Sequence, residues 1–133
     1  LSEYAPGHGS AGVAIRRQER LRRRKDFDAV FRRGRSWNSD LLVLRTLAND
    51  LDHNRFGFVT SKRVGRAVVR NRVRRLLSEA VRGQPLKAGW DVVFSAKTST
   101  ATADYHEINR AVIDLLAKAN LLEDRTVEGE ASL

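Results

Sequence analysis

The densest chemistry in the chain lies between Lys62 and Leu77, where Lys62, Arg63, Arg66, Arg70, Arg72, Arg74 and Arg75 share one stretch with Asn71. Guanidinium groups stay charged and offer forked donors that match phosphate oxygens. An apolar residue still recurs every three or four steps, so the stretch can fold as a helix while presenting cations. Projected at about 100° per residue, Val69, Val73, Leu76, Leu77 and Ala80 form a core-facing stripe. Arg66, Arg70 and Arg74 share one edge, and Asn71, Arg75, Ser78 and Arg82 lie farther round. Arginines four apart repel one another unless a counter-anion sits among them. A merely solvated face would interleave acids, yet between Ala67 and Arg82 the sole acid is Glu79. The segment reads as a phosphate-binding, RNA-docking helix.

Two further features extend that chemistry. Lys62-Arg63-Val64-Gly65 precedes the helix; Gly65 permits a tight turn or a close backbone approach, and the first helical amides are free to meet a phosphate. Its spacing is neither a nucleotide-binding P-loop nor a dinucleotide fingerprint. Upstream, Phe27 and Phe31 stand one helical turn apart, just after Arg22-Arg23-Arg24-Lys25. Aromatic faces beside cations suit stacking of single-stranded bases, although periodicity alone favours rings turned into a core.

Groups for catalysis are missing. His8, His53 and His106 fall in a tail, a loop and a helix, without partners at metal-ligand spacing, and no nucleophile motif or carboxylate cluster accompanies them. With no cysteine, disulfides and thiolate metal sites are excluded. The chain binds; a reactive centre would come from elsewhere.

These residues must be held by one modest domain, since 133 residues suffice for a single core. No apolar run approaches membrane-spanning length, and residues 1–20 lack the order of a secretory signal, so a cytoplasmic location is expected. The net charge of +9 is unevenly spread: residues 16–97 hold 22 Lys and Arg against 8 Asp and Glu, while residues 98–133 hold 3 against 7. One strongly basic region is the footprint of a polyanion partner. The basic segments lack the Trp/Phe/Leu-rich opposite face of an interfacial helix, which favours nucleic acid over membrane. Residues 1–15 read as a disordered extension, 16–122 as the domain and 123–133 as an acidic flexible tail. Leu1 in place of methionine suggests a trimmed chain or a non-standard start.

Between the tails the expected order is α-β-β-α-β-α. Asp26–Arg33 reads as a short helix ended by Gly34, with Phe27, Val30 and Phe31 on one face. Leu41–Ala48 and Phe56–Ser61 read as strands joined by a turn-rich connection over 49–54. The arginine helix runs from Ala67 to Arg82 and stops at Gly83, with Pro85 beyond. Trp90–Ala96 is the next strand, and Val92-Val93-Phe94 places it in the sheet interior, buried on both faces. Asp104 caps a last helix carrying Tyr105, Ile108, Val112, Leu115, Leu116 and Ala119 at helical period. This pattern predicts an α+β fold, a two-layer sandwich of a small mixed sheet with helices, with room for an extra short strand. The helix between two strands predicts some parallel pairing.

Three ordered blocks carry a family resemblance. Ser61–Leu76 with Arg70-Asn71-Arg72 at its centre, Leu21–Gly34, and Arg55-Phe56-Gly57-Phe58-Val59-Thr60-Ser61-Lys62 together resemble the protein component of bacterial ribonuclease P, from about Arg20 to Asn120. The resemblance implies a ribosomal-protein-like topology whose crossover is left-handed, against the usual rule. It implies a basic subunit of a ribonucleoprotein endoribonuclease in which a catalytic RNA, with magnesium, removes the 5′ leader of precursor tRNA. The protein would hold no cofactor of its own, bind the leader and broaden the substrate range. Its partners would be that RNA and precursor tRNA, with no membrane and no obligate protein partner. By position, Phe27, Phe31, Val43, Arg45, Arg70, Asn71 and Arg74 match leader-binding residues. Arg45 departs from relatives that place an aromatic there, so a phosphate contact is expected of it. Lys62, Arg63, Gly65, Arg66, Arg70, Asn71, Arg72, Arg74 and Arg75 match the surface for the catalytic RNA. The competing function is a structural RNA binder of ribosomal type with no processing role; a DNA regulator is disfavoured, since no two-helix reading unit is evident.

Overall fold

The computed structural model describes residues 16–123. In chain order its elements are α1 (Arg24–Arg33), β1 (Arg35–Asn38), β2 (Leu42–Ala48), β3 (Arg55–Thr60), α2 (Ala67–Arg82), β4 (Trp90–Ala96) and α3 (Tyr105–Lys118), with short 3-10 turns between some of them. The α+β expectation holds, and the further short strand exists. With one apolar residue among Arg35-Ser36-Trp37-Asn38, β1 has no alternation to read. It is held instead by pairing, Trp37 opposite Leu44, and by Trp37 against the core. The reading of residues 1–15 lies outside the described residues. So does that of the acidic tail, apart from Glu123, whose amide donates to the Pro85 carbonyl at 2.9 Å.

The sheet order is β1-β2-β4-β3. β4 pairs antiparallel with β2 and parallel with β3, as a helix linking β3 to β4 requires. Val92, Val93 and Phe94 are fully buried, which matches the continuous apolar run of an interior strand. Alternation then divides the sheet into two faces. Leu42, Leu44, Val92 and Phe94 meet Val73, Leu77 and Ala80 of α2 and Ile108, Val112, Leu115 and Leu116 of α3 in the main core. On the other face Val93 meets Val30 of α1 and Leu21 in a smaller cluster, with Phe27, Leu47 and Val59 packed against it. α3 starts on a reciprocal cap, in which the Asp104 carboxylate accepts from the Glu107 amide and the Glu107 carboxylate from the Asp104 amide.

Close approach seats α1. A β-carbon at Gly34 would lie 2.5 Å from the Val30 carbonyl oxygen and 2.7 Å from that of Thr46, so the helix end and β2 nearly touch. Gly34 is therefore required by space; its backbone is extended and not left-handed. An ionic latch holds the opposite end. Buried Asp91 accepts two hydrogen bonds from Arg55, both at 2.8 Å, and one from Asn49 at 2.9 Å, while Arg55 reaches Asp26 of α1 at 3.4 Å. The hydrogen bond to Asp91 pushes the Arg55 guanidinium pKa up, so that side chain stays charged.

Removing the Asp91 carboxylate leaves Arg55 and Asn49 facing a half-buried void. Asp91→Ala should cost about 3 kcal/mol in urea unfolding, in the range for breaking a buried pair. Asp26→Ala, at the looser end of the latch, should cost under about 1 kcal/mol. Equal losses for the two variants would show that Asp91 is not the anchor.

Candidate nucleic-acid interface

Strand register places the candidate aromatic residues. On the α1 face, Arg45 of β2, Val93 of β4 and Gly57 of β3 form one row across the sheet, and Val43, Ser95 and Val59 form the next. α1 lies over the first row. Phe27 sits on Gly57, where an added β-carbon would come within 2.6 Å of its ring, and Val30 packs with Val93. At the far end Phe31 lies 4.8 Å beneath the Arg45 guanidinium, a cation–π stack. The Val43–Ser95–Val59 row is half-buried beside the helix, and this margin between α1 and the sheet is the candidate cleft.

The two phenylalanines thus differ. Phe27 is half-buried and helps to fix α1, whereas Phe31 is 43% exposed and offers an edge to solvent. Core packing describes Phe27, while Phe31 keeps part of its ring open to solvent. Arg45 also donates to the Ser95 hydroxyl at 3.4 Å, so its planar group is oriented across the cleft as well as over Phe31. Ser95 carries no signal in the sequence. Its place in that row comes only from pairing with Val43 and Val59.

The arginine helix packs on the opposite face, and its polar flank reaches the outer edge of β3. Val73, Leu77 and Ala80 are buried and Val69 and Leu76 half-buried against the core, as the wheel predicts. Arg74 donates to the Thr60 hydroxyl at 2.6 Å and to the Asn71 side-chain oxygen, which fixes both residues at the end of β3 beside the cleft. Arg70 donates to the Gly65 carbonyl at 3.1 Å. Gly65 has φ of 151°, a region that L side chains rarely adopt, and Val69 crowds its α-carbon, so both expected uses of glycine apply there. Arg66 enters the helix without a side-chain cap, and no acid occupies the first turn.

The remaining cations fall into two groups. Lys62, Arg63, Arg66 and Arg75 are exposed, and among the described residues their side chains make no hydrogen bond or ion pair. Arg72 is turned toward the start of α3, donating to the Ala103 carbonyl at 2.8 Å, so part of its guanidinium is committed within the protein. Ser78, which the wheel places on the polar side, is buried at 5% exposure and lines a pocket with Leu21, Phe56 and Phe58. Packing from outside the helix covers a position that the wheel alone leaves open.

Among the described residues no group of three His, Cys, Asp or Glu could hold a metal ion. His53 touches the adjacent Asp52 at 2.9 Å in the β2–β3 loop, and that hydrogen bond lowers the Asp52 pKa. The pair stands apart from the cleft. Among the described residues no helix is long and apolar enough to cross a membrane.

Comparison with known proteins agrees with this arrangement. The family model for ribonuclease P matches residues 15–120. A ribonuclease P protein component from Dehalococcoides mccartyi is 42% identical over 81% of this chain and 90% of its own length. One from Clostridium botulinum is 42% identical over 79% and 97%. Among solved structures, the ribonuclease P protein of Staphylococcus aureus superposes with a TM-score of 0.73 at 25% identity, covering 79% of this chain and 98% of that one. That of Thermotoga maritima gives 0.68 at 28%, covering 75% and 96%. With its signature helix, cleft and sheet order all inside the matched span, the chain belongs to the ribonuclease P protein component family.

Proposed function

We propose that the chain acts in tRNA 5′ processing by gripping two RNAs at once. The cleft of Phe31, Arg45 and the Val43–Ser95–Val59 floor takes the single-stranded 5′ leader of precursor tRNA, with Phe27 holding α1 in place. Arg70, Asn71 and Arg74 stand at the junction. Lys62, Arg63, Arg66 and Arg75, with the free part of Arg72, meet phosphates of the catalytic RNA. The observation that carries this reading is the exposed Phe31 ring stacked under Arg45 beside an open sheet face, next to a cationic helix flank without counter-charge. A stacked base needs such a ring, and a tracked backbone needs such cations. Leader hydrolysis belongs to the RNA and its magnesium ions. This chain's residues bind and orient, and by neutralising phosphates they reduce the magnesium needed to hold the complex together.

Reconstitution tests the whole reading. With a bacterial ribonuclease P RNA and a precursor tRNA at low magnesium, the protein should restore leader removal, whereas the protein alone should cleave nothing. No stimulation would leave a structural RNA binder as the better account. For the cleft, Phe27→Ala with Phe31→Ala should weaken binding of leader-bearing substrate by about 1–3 kcal/mol for each base that no longer stacks, and leave a leaderless one unaffected. Equal binding of both substrates by wild type and variant alike would exclude a leader site here. For the flank, Arg70→Ala with Arg74→Ala should flatten the dependence of RNA affinity on salt by about 0.7–0.9 in log–log slope for each phosphate no longer neutralised. An unchanged slope would show that neither arginine meets a phosphate.

A further inference from the structure

The outer edge of β3 carries a feature that the cleft does not use. β3 ends the sheet, and the segment before α1 runs along its free side, the Leu21 amide donating to the Phe56 carbonyl at 2.8 Å. Between that segment, the strand and α2 lies a cavity of about 200 Å³. Its lining is aromatic, from Phe27, Phe56 and Phe58, and basic, from Arg20, Arg22, Arg74 and Arg75, with no acid among the lining residues. Arg20, Arg22 and Arg75 make no side-chain hydrogen bond or ion pair among the described residues, so three of the four cations are uncommitted. Pockets for drug-sized molecules run from roughly 300 Å³ upward, so this space suits one planar ring.

We infer that this pocket holds a single unstacked nucleotide of the precursor-tRNA leader. The base lies against the phenylalanines, and its flanking phosphates are clamped between Arg20 and Arg22 on one side and Arg74 and Arg75 on the other. The inference rests on the leader-binding reading above and extends it. Phe27 is shared between cleft and pocket, and Arg74, bound to Thr60 at the strand end, lies where the two meet, so a strand leaving the cleft passes over the β3 edge into the pocket. A row of unneutralised arginines around an apolar recess repels itself until a phosphate arrives, whereas an apolar ligand would leave those charges unmatched. Both arginines of the segment also line the neighbouring groove with Arg17 and Arg23, where the acid present, Asp26, is paired with Arg55, so cations continue past the pocket.

The test uses the reconstituted holoenzyme, a series of precursor tRNAs with leaders of increasing length, and the variant Arg20→Ala/Arg22→Ala. Both positions are exposed, and the Arg20–Phe56 bridge uses main chain only. Wild-type affinity should rise in a second step once the leader outgrows the cleft. The variant should lose that step, by about tenfold, with the salt slope falling by roughly 1.4 for two single-strand phosphates. Short-leader substrates and affinity for the catalytic RNA should stay unchanged. A uniform loss across all leader lengths, or weakened binding of the catalytic RNA, would overturn the inference by assigning these arginines to the other RNA. Loss of the step in Phe31→Ala but not in the arginine variant would overturn the pocket while sparing the cleft. Wild-type affinity independent of any leader would sink both readings.

Discussion

Burial of β4 on both faces is the constraint on which the rest of the structure depends. A strand covered on one side only would leave the row Arg45–Val93–Gly57 in water, and α1 would have nothing to cross. Because Val93 is apolar and fully buried, α1 must lie over it through Val30. The helix axis then carries Phe27 to β3 and Phe31 to β2. Two close approaches, Gly34 at Thr46 and Phe27 at Gly57, leave little freedom in that crossing. Interiors packed to this density transmit position accurately, so the cleft is placed by the central strand and the glycines rather than by its own polar groups.

Charge is organised around the same frame in two different ways. Where cations serve the fold they are matched, as Arg55 is by Asp91 and Asp26. Where they face outward from α2 and the segment before α1, several have no partner among the described residues, and the few hydrogen bonds they make are to neutral oxygens: Arg74 to Thr60 and Asn71, Arg70 to Gly65. A neutral acceptor orients a guanidinium without cancelling its charge. The free protein therefore bears like-charge repulsion that a polyanion would relieve. Salt and magnesium act on that same balance from outside.

Element boundaries read from the residues fall within two positions of those observed for α1, β2, β3 and β4, and the arginine helix coincides with Ala67–Arg82. Long periodic stretches such as 67–82 and 105–118 announce themselves because each turn repeats the message. β1 does not, because four residues with one apolar side chain carry no period; strand pairing creates it. Ser78 and Arg72 show the same limit in a helix of correct extent. A wheel knows its own faces but not what surrounds them, as the Ala103 carbonyl that accepts from Arg72 shows.

The amino-acid order by itself determined the cationic helix, the interior strand and, through three ordered blocks, the family. Those are properties of residue type and short spacing, and they survive in a linear reading. Only the tertiary structure decided that Phe31 and not Phe27 presents an exposed ring, that Arg45 stacks on it, that Ser95 lies in the candidate cleft, and that Arg20 and Arg22 line a pocket with Arg74 and Arg75. Each of those facts joins residues far apart in the chain. Their meeting is set by strand register and by the angle at which α1 crosses the sheet, and neither is written in any local pattern.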